Sequence, residues 1–274
     1  MKLARQLAQR ITALNYEDLP PEAVYWSKVA LLDTLGVMLA GAVEEAPGIV
    51  EDVLGLQANG GPCLLVGANR RAAPLDAALI NGTSAHVLDF DNTESYIGGH
   101  VSAVMVPALL AAGEAFGASG RDLLHAHTVG FEVGARIGRG VNYYHTEKGW
   151  HPTWTLGVFA VTAACARLLN GIKFDNADPF NAMVKVTLTD GTTLSAAVDY
   201  PLGRTSANPI ALADLKAKFE NCALRALTPQ AVAVVSRAVD SFEDVDSVRD
   251  FMTLLAAANA DLNSARQRLQ RRAS

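Results

Sequence analysis

The chain has 274 residues, half of them hydrophobic (50%), and its 23 basic against 28 acidic residues give a net charge of −5. An acidic balance of this kind, with basic residues gathered only in the tail at 266–272, argues against a nucleic-acid partner, whose binding rests on neutralising phosphates. Charged residues make up only 19%, below the quarter usual in soluble chains, so part of the surface is expected to lie against another subunit. Cys63, Cys165 and Cys222 lie far apart, with no CxxC and no metal-ligand spacing to a histidine, which fits a reducing compartment. The N-terminus lacks the apolar core of a signal peptide. The longest apolar stretches, near 29–42 and 101–112, carry polar breaks and read as too short to span a bilayer. A cytoplasmic location without membrane contact is the expectation.

In chain order, Leu3, Leu7, Ile11 and Leu14 recur at helical spacing. Pro20-Pro21-Glu22 opens a second helix that runs to Gly41 and is apolar nearly all round, which predicts a central, buried position. Residues 46–56 continue helically until Gly60-Gly61-Pro62, and 63–66 form a short apolar run that reads as a small strand. Helices follow over 74–90 and Val101–Phe116, separated by a polar segment containing Gly98-Gly99. Ser119 caps a further helix to about Arg139, along which Gly130, Gly134 and Gly138 recur every four residues, a spacing that close packing explains. A loop over 141–149 leads to Pro152, where a long apolar helix runs through Leu169. Past Gly171 the pattern changes. Val184, Val186 and Leu188 alternate, Asp190-Gly191 intervenes, and Leu194, Ala196 and Val198 alternate again, predicting a β-hairpin over 183–199. Helices return over 212–227, 229–241 and 245–263. A lone hairpin is marginal in water and must dock on something.

Two loops carry the chemistry. The first, from Asp89 through Asp91, Asn92 and Thr93 to Gly98-Gly99-His100, sets two carboxylates, a hydroxyl and an imidazole between helices. His100 stands just before an apolar helix, whose positive end is expected to lower its pKa and leave a neutral general base; Asp89 would orient the ring or hold a substrate hydroxyl. Asp91, Asn92 and Thr93 serve equally well as capping and turn residues, and spacing alone does not separate the two readings. The second loop, Lys148-Gly149-Trp150-His151-Pro152-Thr153, enters a helix whose free N–H groups suit an anion, helped by Lys148 and Thr153, although a capping loop explains the same spacing. His86 reads as a satisfied core histidine. His125 and His127, two apart on one helix, point different ways and are no metal pair. No phosphate loop or GxSxG elbow occurs.

Four stretches, Leu31-Leu32-Asp33-Thr34-Leu35-Gly36, Asn81-Gly82-Thr83-Ser84-Ala85-His86-Val87-Leu88-Asp89-Phe90-Asp91, Gly99-His100 and Gly149-Trp150-His151-Pro152-Thr153, resemble the MmgE/PrpD family. That family includes 2-methylcitrate dehydratase, cis-aconitate decarboxylase and an iminodisuccinate epimerase. The resemblance implies a mainly α fold, an all-helical domain with a smaller α+β lid, usually as a homodimer. It also implies a lyase or isomerase that needs neither metal nor cofactor. Carried over residue by residue, it implies that Asp89, Thr93, His100 and His151 line a site for a small di- or tricarboxylate, with His100 and His151 moving protons.

The chain departs from the family pattern in length. Residues 183–200 and the helices after them look like the end of the lid and the family's C-terminus, joined near Gly171-Ile172 to the helical block. This divides the chain into a helical domain at 1–171 and a lid remnant with C-terminal helices at 172–274. The missing middle normally carries active-site lysines. Gly99-His100-Val101-Ser102 replaces the His-Pro-Ser-Asp of the methylcitrate dehydratase branch, which argues against methylcitrate as substrate. The alternative to an active lyase or isomerase is a catalytically impaired remnant, or a partner subunit, serving as an oligomerising helical scaffold.

Overall fold

In a computed structural model that describes residues 2–55, 60–141, 144–169 and 210–256, the apolar pattern resolves into twelve α-helices and one two-stranded sheet. The helices are α1 (Lys2–Ala13), α2 (Pro21–Gly41), α3 (Glu45–Leu54), α4 (Pro74–His86), α5 (Val101–Phe116), α6 (Gly120–Val141), α7 (Tyr144–Glu147), α8 (Pro152–Thr155), α9 (Gly157–Leu168), α10 (Leu212–Ala223), α11 (Pro229–Asp240) and α12 (Val248–Thr253). The fold is mainly α. The sheet pairs β1 (Cys63–Leu64) with β2 (Arg71–Ala72) in antiparallel register, so the short apolar run at 63–66 does supply a strand. The hairpin expected at 183–199 and the junction near Gly171 lie outside the described residues.

A helix apolar on every side has no face to give to water, and α2 accordingly sits at the centre. Every residue from Ala30 to Gly41 is buried, and α4, α5, α6, α10 and α11 pack around it. By length and composition α2 is long and apolar enough to cross a membrane, contrary to the expectation from sequence, yet 67% of its apolar window is buried inside this fold. Leu31, Leu35, Met38 and Leu39 of α2 join Met105, Leu109 and Leu110 of α5 and Leu123 and Leu124 of α6 in one core. Phe219 of α10, Phe242 of the turn after α11 and Met252 of α12 enter that same core. The C-terminal helices are therefore packed into the N-terminal block, each buried large apolar side chain contributing about 1.5–3 kcal/mol.

Glu114, fully buried in α5, accepts the Leu64 N–H at 2.7 Å and pairs with Arg71. The small sheet is thus fastened to the helical core through a satisfied charge.

Several boundaries differ from the expected ones. The third helix ends earlier, at Gly55, whose φ of 61° forms a left-handed cap. Helix α4 stops at His86 instead of continuing to 90, because Asp89 adopts a left-handed φ of 47°. The stretch expected as loop at 141–149 contains the single helical turn α7. The long helix expected from Pro152 is broken at Leu156 into α8 and α9. Helix α12 spans Val248–Thr253 within the helix expected over 245–263, of which residues 257–263 lie outside the described ones.

Candidate active site

The glycine stripe of α6 is where the site begins. A Cβ at Gly130 would lie 2.6 Å from the Ala160 carbonyl, and one at Gly138 would lie 2.4 Å from the carbonyl of Tyr96. Close packing is indeed the use of these glycines: at one end they admit α9, at the other the loop that precedes His100. That loop closes on itself, since the Glu94 N–H donates to the Gly99 carbonyl at 2.9 Å and the Gly98 N–H to the Glu94 carbonyl at 2.6 Å. Ile97 is buried beneath it.

Closure of the loop brings the two histidine segments together. His100 is the N-cap residue of α5 and His151 that of α8. The backbone N–H of His100 donates to the buried Thr153 Oγ1 at 2.9 Å. A Cβ on Gly99 would come within 2.7 Å of the Thr153 nitrogen, so only glycine permits this approach. Thr153, read from sequence as an anion contact, is the fastening between the loops.

Asp91 is the pivot. Its side chain has 0% exposure, with Oδ1 2.9 Å from His86 Nδ1 and Oδ2 3.1 Å from His100 Nδ1. The two rings lie 4.8 Å apart at a tilt of 55°. Burial pushes the Asp91 carboxyl up, but the hydrogen bonds from His100 and His86 outweigh it and hold the group below its usual range. The hydrogen bond to Asp91 raises both His86 and His100, more than burial lowers them.

The structure thus corrects three expectations. His100 is raised, not lowered: a hydrogen-bonded carboxylate outweighs the partial charge of a helix end. Asp91, not Asp89, holds the ring, and His86 belongs to the cluster instead of serving as a core histidine. Asp89 is 83% exposed and stands 3.7 Å from His100 Nε2. The remaining site candidates stand on or near these loops. Burial lowers His151, and the neighbouring His86 and His100 lower it further, which sets it within their electrostatic reach. Thr93 is exposed on the first loop. Lys148 is also exposed, its ammonium 5.0 Å from the centre of the Tyr144 ring, and among the described residues no ion pair joins it to the cluster.

Beneath the loop, Asp33 of α2 accepts the Asn92 N–H at 2.9 Å and pairs with Lys218 of α10 at 2.7 Å. The same ammonium donates to the Phe90 carbonyl at 2.5 Å and lies over the Phe90 ring. Both neighbours of Asp91 are therefore clamped. Burial also pushes the Glu94 carboxyl up, to about 7, against a hydrogen bond from Asn92. His86, Asp89, Asp91 and His100 each offer a ligand atom within 4.8 Å of the others. Two imidazoles and two carboxylates suit a transition-metal ion, but a cation would compete for Asp91 oxygens that already face imidazole nitrogens.

A family model described as the MmgE/PrpD N-terminal domain matches residues 5–197. The chain belongs to the MmgE/PrpD family. It is 31% identical over 206 residues to a cis-aconitate decarboxylase-like protein of Aspergillus oryzae, covering 70% of this chain and 41% of that protein. It is 30% identical to the cis-aconitate decarboxylase of Homo sapiens over 61% of this chain and 36% of the relative. To that of Aspergillus terreus it is 27% identical over 57% and 33%. The alignments thus span less than half the length of these MmgE/PrpD relatives.

Proposed function

We propose that this protein binds a small di- or tricarboxylate and moves protons on it by acid–base side-chain chemistry, as a lyase or isomerase of the cis-aconitate decarboxylase type. The observation that carries this reading is the seating of the His86 and His100 rings on the two oxygens of one buried carboxylate, Asp91, both raised by that bond while His151 is lowered by burial and by those two rings. Groups separated in this way are suited to divide acid and base roles. His100 serves as the proton donor and His151 as its partner base, roles that agree with the raised direction of the one and the lowered direction of the other. Decarboxylation leaves a carbanion that needs a proton, which an imidazolium supplies. Dehydration or epimerisation first removes a proton beside a carboxylate, which a neutral imidazole accepts. Asp89, 3.7 Å from His100 Nε2, holds a substrate hydroxyl, Thr93 binds a substrate oxygen, and Lys148 meets a carboxylate at the rim. The relatives' printed names favour cis-aconitate among the acids.

The test is incubation with cis-aconitate, 2-methylcitrate and related acids, followed by proton NMR. Turnover that disappears in His100→Ala supports the reading; no turnover and no binding of any of these acids overturns it. The same reading places the protein in the cytoplasm as a homodimer. Trp154 (72% exposed), Val158 and Phe159 form an apolar strip along α8 and α9 that a second copy would cover. That exposed apolar strip favours the second reading, an oligomerising scaffold. A stable dimer by light scattering that binds no carboxylate would select it.

A further inference from the structure

We propose that Asp91 is the positioning residue of the site, and that by taking one imidazole N–H on each carboxylate oxygen it sets His86 and His100 as a matched pair with Nδ1 protonated and Nε2 left to exchange protons. This deepens the function proposed above by adding His86 to the proton-handling groups, and it stands on ring geometry that does not depend on any substrate.

An ionised carboxylate only accepts, and each of its oxygens here faces a different Nδ1, at 2.9 and 3.1 Å. Each neutral ring must therefore place its proton on Nδ1, which fixes the tautomer and leaves the Nε2 lone pair outward. Second-partner bonds of this kind orient imidazoles toward whatever they serve. The carboxylate has no exposure, so water does not substitute for either ring. Nor is it free to turn: Asn92 is tied to Asp33, and Phe90 to Lys218.

The charged and titratable groups facing the pair come from every element around it. Asp89 approaches His100 Nε2 from the loop, and His151 at the start of α8 is itself lowered by both rings. Asp33 of α2 feels Asp91, and its own partner is Lys218 of α10. Asp91 is the group among these that bonds both rings. The raised pKa values of His86 and His100, each owed first to that bond, agree with the geometry.

Histidine-labelled full-length protein, studied by long-range proton–nitrogen NMR without ligand, tests this. In the wild type both rings are expected as Nδ1–H tautomers when neutral, titrating above His151. Asp91→Asn keeps one acceptor oxygen but presents an amide N–H to the other ring. One of the two rings should then turn to the Nε2–H tautomer, and both midpoints should fall. Unchanged tautomers and midpoints in a folded Asp91→Asn protein overturn the proposal, as do Nε2–H tautomers in the wild type. Should Asp91→Asn unfold, His86→Gln decides: the His100 midpoint should rise as its positive neighbour is removed, and a midpoint that does not move overturns the coupling. In a protein that turns over a carboxylate, Asp91→Asn should lower kcat about 100-fold or more with little change in KM. Wild-type protein without turnover counts against the proposed function alone, because the tautomers decide the positioning role separately.

Discussion

Two pairs of histidines in this fold meet opposite fates. His86 and His100, at the end of one helix and the start of another, are only partly buried and are raised by the carboxylate of Asp91. His125 and His127 lie inside α6, two residues apart and both buried. His127 has only the Ser27 hydroxyl, 3.1 Å from Nδ1, and its Nε2 has no partner. Burial pushes it down to about 4. Burial likewise lowers His125, with the Arg167 guanidinium beside it adding to the effect. The contrast teaches that a bonded carboxylate raises an imidazole where burial alone lowers it. The buried pair belongs to the core, whereas the paired one is equipped to hold and release protons.

Substitutions sharpen that contrast in decreasing order of effect. His100→Ala should lower turnover about 10²–10⁴-fold, the worth of one positioned proton transfer, while His127→Gln should leave turnover unchanged; steady-state kinetics separate the two. Lys218→Met strands the Asp33 carboxylate in the interior with the Asn92 N–H alone. Breaking a buried pair this way costs roughly 3–5 kcal/mol. Burial already raises Asp33, so the loss should be largest at alkaline pH and shrink as Asp33 takes up a proton. Urea denaturation across pH measures it.

The next effect concerns acid. His127 is held at about 4 in the fold against 6.5 unfolded, so below 6.5 the unfolded chain binds a proton that the folded one refuses. Stability should fall between pH 6.5 and about 4, by at most roughly 3 kcal/mol, and His127→Gln should remove that dependence. The smallest effect has the opposite sign. The raised His86 and His100 contribute stability that is fully present below pH 6.5 and is lost as pH rises through their folded values. His86→Gln should make this alkaline loss shallower.

Much of the scaffold was legible from periodicity. The all-round apolar character of 21–41 gave the central helix, and Val101–Phe116 has the expected ends. Both histidine loops were visible as polar interruptions between apolar helices, and they do meet, through Thr153. What sequence did not disclose was which carboxylate holds the ring. Asp89 and Asp91 look alike in a string, and only the left-handed backbone at Asp89 turns one outward and the other in. The role of His86 was hidden for the same reason, since its ring meets His100 only once α4 ends at that residue. Lys218 carries no local signal at all: it reaches Asp33 across 185 residues, a contact set by how α10 packs on α2.

The most direct test of the account is a histidine-resolved NMR titration of the full chain with cis-aconitate. The imidazole signals of His86, His100 and His151 should move together and saturate, while those of His125 and His127 stay still. Signals at the first three that remain fixed at millimolar cis-aconitate, or movement confined to the α6 pair, would contradict a carboxylate site built around Asp91.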